Sequence, residues 1–433
     1  ANPTMTVYNI SASGSAATDM DTIAVGNGTG KIDLSNGVVS ASIDTSLATN
    51  TSSAYTIAGA VVSTMTLGAG TYSVTGGSGD DVVSVAGAGD VIANLNIGNN
   101  TFTAKNGTSS TRYTITASTN QDTIAIGDGT GFIDFASNGR TSFDKIDITA
   151  LNASSTYTIK GGYTNYISLG AGSHNVTAGD GSDQVTVDGS SNVTLAMGGN
   201  SNIVNVISKS SVFATYNITG GGGTSLDVDS VTLGNGIGVI NFTVNGSAAS
   251  GTVDATNVTN TSSAFTIVGG ASNTIKLGAG SYDVTGGAGN DAVALGDSNK
   301  VTLNLGAGKN TVTAIANPTM TVYNISASGS AATDMDTIAV GNGTGKIDLS
   351  NGVTSASINT SLATNTSSAY TITGATANTM TLGAGTYSVT GGTGVDVISF
   401  TGTGNATVNG NGGNDSITLG YGNYVVNTTT GDD

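Results

Sequence analysis

Cysteine, tryptophan and glutamate are absent from this chain, proline occurs twice and histidine once. Without Cys there is no disulfide framework and no thiolate metal site. Gln occurs only at Gln121 and Gln184, and 433 residues carry just eleven Lys+Arg, so the side chains that furnish exposed helix surfaces are missing and helix is expected nowhere. Eleven scattered bases against 28 Asp give a formal charge of −17, which removes the basic footprint needed for nucleic acid or anionic lipid. No apolar run approaches the roughly 18 residues of a bilayer span. Ala1-Asn2-Pro3 has neither the basic region nor the apolar stretch of a secretory leader, so no signal peptide is expected at the start.

What remains is rich in Gly (66 residues), Thr, Ser, Asn, Val, Ile, Tyr and Asp, with 37% apolar and 9% charged residues. Disordered chains are rich in charge and Pro, whereas this one sets short Val/Ile/Leu/Tyr runs between turn residues, the composition of a folded all-β chain.

Self-similarity organises it. Residues 1–38 return unchanged at 316–353, an offset of 315. Within that length lie diverged copies of about 105 residues. Their openings align at Tyr8, Tyr113, Tyr216 and Tyr323. A second landmark follows from Asp21, Asp122, Asp229 and Asp336, where the first copy reads DTIAVGNGTGKIDL. The third surrounds Tyr55, Tyr157, Phe265 and Tyr370, and LGAG begins at Leu67, Leu169, Leu277 and Leu382. These landmarks divide the chain into copies at 1–105, 106–208, 209–315 and 316–433.

After each LGAG comes a nonapeptide of the form GGxGxDxUx, where U is large and apolar. Gly76–Ser84 (GGSGDDVVS), Gly286–Ala294 and Gly391–Ser399 match fully. Ala178–Thr186 has Ala for the first Gly, and Gly410–Thr418 has Asn for the second. The glycines allow a tight turn, and the apolar residue faces a thin core. Apolar pairs such as Ile23/Val25, Tyr55/Ile57, Met65/Leu67 and Tyr72/Val74 alternate within short strands, with turn residues about every nine or ten positions. Two inward side chains per strand cannot bury a core alone, so coils must stack. The predicted fold is an elongated parallel β-solenoid or β-roll, with about 18–20 residues per two-strand coil and a rod on the order of 100 Å long.

Asp81, Asp183, Asp291, Asp396 and Asp415 of the nonapeptides offer the hard oxygen that calcium takes, six to eight at a time. Asp or Asn recurs nine or ten positions on, as in Asp81 then Asp90 and Asn99, Asp183 then Asn192, and Asp396 then Asn405 and Asp415. Such spacing builds either a calcium site or a ladder of side-chain amides, and the residues leave both readings open beside plain turn chemistry. The nonapeptides resemble those of the RTX (repeats-in-toxin) proteins, secreted bacterial β-rolls that bind calcium, whose long members include surface-layer proteins and giant adhesins. That resemblance implies Ca2+ at Asp81, Asp291 and Asp396, and less directly at Asp183 and Asp415. The family's nonapeptides run in tandem, whereas here one occurs in most copies, so the resemblance supports about one ion per copy.

Other candidates have plainer readings. The pairs Asp19/Asp21, Asp227/Asp229 and Asp334/Asp336 are spaced for a hydrolase pair or half a calcium site, but the second copy offers Asn120 and Asp122. The one histidine, His174, stands where other copies carry Tyr72, Tyr282 and Tyr387, an exchange of one ring for another. Asn-x-Ser/Thr triplets such as Asn9-Ile10-Ser11, Asn27-Gly28-Thr29 and Asn257-Val258-Thr259 abound in a chain of this composition. Thr-x-Thr pairs at Thr4/Thr6, Thr64/Thr66 and Thr101/Thr103 would form a flat ice-binding face if kept in every coil. The expectation is therefore a non-enzymatic, extracellular structural repeat protein that self-associates into a filament or surface layer. The rival is an adhesin that recognises surface glycan, with a polysaccharide-active enzyme third.

Overall fold

Period-two alternation of apolar and polar residues requires a strand with one buried face, and the chain folds accordingly. The computed structural model describes residues 5–14, 18–105, 107–108, 110–118, 120–135, 143–207, 213–221, 227–243, 250–314, 320–329, 334–429 and 431. These form strands and turns, with no helix among the described residues. Two compact units result, Ala1–Ile218 and Thr219–Asp433, the division falling inside the strand Ala214–Thr219.

In the first unit successive strands alternate between two parallel sheets. Ala54–Ala58, Thr71–Thr75 and Val91–Asn94 are neighbours in one sheet. Val62–Leu67, Val82–Val85 and Thr101–Ala104 are neighbours in the other. Every coil is thus two strands and two corners, and each strand hydrogen-bonds to its counterpart one coil away. The predicted parallel β-solenoid is the fold of this unit. Its coils are less uniform than the nine-residue metre suggests, as short as Tyr55 to Tyr72 and as long as Gly131 to Tyr157. Longer coils carry their extra residues in corner loops such as 45–53, and the strands keep register.

The second unit repeats the plan. Ala264–Val268, Gly280–Thr285, Ser298–Asn304 and Thr321–Ser328 are successive neighbours in one sheet. Asn273–Lys276, Ala292–Leu295, Thr311–Ala314 and Met335–Ala339 are successive neighbours in the other.

Register turns the alternation into continuous interior files. Ile32, Ile57 and Val74 line one wall of the first unit, and Ile43, Met65, Val83 and Phe102 line the facing wall, all at most 2% exposed. Burying each such side chain contributes roughly 1.5–3 kcal/mol. Aromatic rings also stack from coil to coil, Tyr55 on Tyr72 at 5.8 Å and Tyr370 on Tyr387 at 5.8 Å. Their hydroxyls reach the corners, where Tyr55 donates to the Gly26 carbonyl and Tyr282 to that of Ala279. These tyrosines keep their polar ends satisfied inside so thin a core, whereas the Tyr113 hydroxyl is buried without a hydrogen-bond partner.

Candidate functional site

The nonapeptide Asp lies at the corner that feeds the second sheet. Asp81, Asp183, Asp291, Asp396 and Asp415 are all buried there. Asp81 uses both carboxylate oxygens within the fold: Oδ1 accepts the Ser63 N–H of the preceding coil and Oδ2 accepts the Gly77 N–H of its own turn, each at 2.7 Å. Gly287 N–H donates likewise to Asp291 Oδ2 (3.0 Å), and Gly392 N–H to Asp396 Oδ2 (2.7 Å).

This geometry accounts for the paired glycines. A Cβ on Gly76, Gly286 or Gly391 would collide with the Oδ2 of Asp81, Asp291 or Asp396. A Cβ on Gly77, Gly287 or Gly392 would collide with backbone carbonyls of the coil beneath. In the near match, Ala178 replaces the first Gly, and Asp183 Oδ2 is buried without a hydrogen-bond partner.

The aspartates belong to longer ladders. Asp81 N–H donates to Asn100 Oδ1, Asn100 N–H to Asp122 Oδ1, and Asp122 N–H to Asp144 Oδ1. Asn165 N–H donates to Asp183 Oδ1, and Asp183 N–H to Asn202 Oδ1. In the second unit Asn273 N–H donates to Asp291 Oδ1, Asp291 N–H to Asn310 Oδ1, and Asn310 N–H to Asp336 Oδ1. Asp396 N–H donates to Asp415 Oδ1. At each step a side-chain oxygen of the later coil caps a main-chain donor that the corner has taken out of the sheet, so a buried amide is not left unpaired. Where the ladder residue is Asn165, Asn273 or Asn378, its Nδ2 also donates to the next Asp Oδ1 at 2.6–2.7 Å.

One expectation is corrected by this placement. Ladder neighbours lie 18 to 26 residues apart, a whole coil, so the nine-residue recurrence does not stack Asp90 on Asp81. Asp90 is half-buried at the opposite corner, ahead of Val91–Asn94, where its Oδ1 accepts the Arg112 N–H at 2.9 Å. Of the aspartates singled out from sequence, the ladder brings Asp396 and Asp415 into direct sequence, while Asn100, Asp122, Asp144 and Asn165 intervene between Asp81 and Asp183. Asn100, Asp122 and Asp144 carry no paired-glycine signature, whereas Asn165 follows Gly161-Gly162 and its Oδ1 accepts the Gly162 N–H at 2.9 Å. Their common mark is one polar residue just before each apolar-alternating run of the second sheet.

A second clamp recurs at the other corner. Asn27 Oδ1 accepts both the Thr49 and Asn50 N–H groups, and Asp128 Oδ1 those of Leu151 and Asn152. Asn235 and Asn342 repeat this on Thr259/Asn260 and Thr364/Asn365. The G-[N/D]-G step inside the second sequence landmark is its signal.

Burial dominates the electrostatics of the ladder. It pushes the Asp81 carboxyl up to about 6 and Asp183 up to about 7, against the hydrogen bonds they accept. Asp291, Asp336 and Asp396 are raised for the same reason. Oxygens already committed to amide hydrogens have few lone pairs left to converge on a cation. Among the described residues no group of three or more carboxylate or imidazole side chains is placed to hold a metal ion. The paired aspartates Asp334 and Asp336 do share an inward face, at 7% and 1% exposure. On the outer face of the second sheet Thr64 and Thr66 share files with Thr101 and Thr103, but Val82 and Ser84 stand between them in register. Thr4 lies outside the described residues.

The arrangement is therefore a set of polar clamps that hold coil to coil. Comparisons with known protein families, with curated proteins and with solved structures found no match to the chain.

Proposed function

We propose that this chain is a secreted structural repeat protein, in which β-solenoid coils supply the length of an extracellular filament, surface layer or adhesin stalk. The observation that supports this best is the return of residues 1–38 at 316–353 within a fold whose coils are each clamped by their neighbours. A repeat that extends the stack without new packing adds length and no new chemistry. The buried ladder puts its carboxylates inside as fasteners, and the low charge density leaves the outer faces suited to lateral packing. Negative-stain electron microscopy of the purified chain tests the reading. Filaments or sheets with a regular axial repeat are the expected result, and isolated particles at every concentration and salt condition would reject self-association.

Calcium stabilisation is a separate part of the proposal, carried by the resemblance to RTX nonapeptides. Thermal melting with millimolar calcium and with chelator tests it. A raised melting temperature in calcium supports bound ions, while superimposable melts leave the ladder to work by hydrogen bonding alone.

A further inference from the structure

His174 interrupts the aromatic interior of the first unit. The ring is 4% exposed and lies flat on Tyr157, centroids 6.0 Å apart and planes at 12°. It stands between Tyr157 and Val193 in register. Nε2 is 3.2 Å from the Gly170 carbonyl oxygen, whereas Nδ1 is buried with no hydrogen-bond partner.

At the matching position the other copies carry tyrosines whose single polar atom is satisfied. Tyr72 OH meets Thr45 Oγ1 and the Ala69 carbonyl, Tyr387 OH meets Thr360 Oγ1, and Tyr282 OH donates to Ala279. The second copy lacks the matching hydroxyl. Ile148, buried and apolar, pairs with Leu169 where Thr45 continues the register alongside Leu67. The imidazole thus has two polar atoms in a niche that serves one.

We propose that His174 is an acid-triggered release point, where protonation of the ring opens the coil built on Gly172–Thr177. A charged imidazolium needs partners for two N–H donors, and only Nε2 has one, so the ion reaches water only if the coil parts from its neighbours. Its register neighbours supply no counter-charge: Tyr157 carries a neutral ring, Val193 is apolar, and Lys160 pairs outward with Asp134. Two carboxylates belong to the neighbouring elements: Asp188 ends the strand Gln184–Asp188, and Asp128 acts on the Tyr157 hydroxyl. Burial lowers the affinity of the ring for a proton, against the backbone bonds of Gly170 and Ala171. Because the opened form binds the proton more readily, opening is favoured about tenfold per pH unit as pH falls from about 6.5 to the folded ring's own value.

The ladder carboxylates Asp81 and Asp183 respond with the opposite sign, so the test must isolate the ring. With one histidine in the chain, its imidazole resonances in the full-length protein are unambiguous. The expected result is a titration midpoint below 6.5, together with acid-induced cleavage by pepsin in the 160–200 region. His174→Tyr should abolish that cleavage and remove the destabilising contribution of the ring to the acid-dependent thermal shift, leaving that of the ladder carboxylates. If His174→Tyr folds poorly, His174→Phe keeps the ring and deletes both nitrogens, with the same expectation. An imidazole that titrates at its ordinary value without change in cleavage would overturn the proposal. Variants that open in acid as readily as the parent would do so equally.

Discussion

Residues 5–36 and 320–351 are one sequence placed twice, once in each unit, and the pair separates what sequence dictates from what a neighbour supplies. Local structure is the same: strands Thr6–Ser13 and Thr321–Ser328 have equal length, and Lys31–Asp33 and Lys346–Asp348 form the same 2.7 Å ion pair. Burial is not. Thr321–Ser328 is covered by Ser298–Asn304 on one edge and Gly343–Asn351 on the other, so Tyr323 and Ile325 are at most 2% exposed. In the first occurrence Tyr8 and Ile10 are half-buried, with Gly28–Asn36 paired alongside. Asp336 caps the Asn310 N–H and is buried, whereas Asp21 is half-exposed. Strand and turn are encoded within the coil, and stability is conferred by the coil next door.

Three substitution pairs would break or sharpen that contrast. The largest effect is expected at Gly345, whose φ of +140° disfavours any side chain and whose added Cβ would sit on the Tyr323 carbonyl. Gly345→Ala should cost more than about 3 kcal/mol in denaturant unfolding, since a strand held on both edges cannot yield. Gly30→Ala makes the same collision with Tyr8 but should cost markedly less, because that strand can shift away. Equal losses would show that the first occurrence is as tightly held as the second.

Next in size, Tyr323→Ala should cost about 3–5 kcal/mol and Tyr8→Ala about 1–2, read from the same unfolding curves. The smallest effect concerns charge. Asp336→Asn should raise the melting temperature by a few degrees at pH 8 and have little effect near pH 4, while Asp21→Asn changes little at either. The sign follows from burial: a carboxyl raised in the folded state stabilises while protonated and loses that contribution as pH rises through its folded value. A larger gain at acid pH would contradict this.

Much of the fold was legible in the sequence because alternation and turn spacing are local. Tyr55/Ile57 and Met65/Leu67 announce inward pairs within single strands, and the absence of Glu excluded helix. The ladder was harder to read because its neighbours are a coil apart and coil length varies. Asp81 was singled out through its glycines, while Asn100 and Asn165 do related work in turns of different sequence. Asp90 shows the limit from the other side: nine residues is half a coil, so a spacing that looks like stacking leads to the far corner. His174 read as a ring exchange, and it does sit in the ring file. Its surplus nitrogen emerges only once the Gly170 carbonyl is seen beside Nε2 and Nδ1 is left without a hydrogen-bond partner.

The direction of the ladder bonds carries a consequence for biosynthesis. At every step the amide of an earlier coil is completed by a side chain from the following one, as Ser63 is by Asp81 and Asp81 by Asn100. A chain emerging amino end first therefore completes each ladder amide only when the next rung arrives, while the clamps of Asn27 and Asp128 at the other corner hold a new rung from the one before it. Along the ladder corner such an arrangement acts like a ratchet and favours assembly in the order in which the rungs emerge.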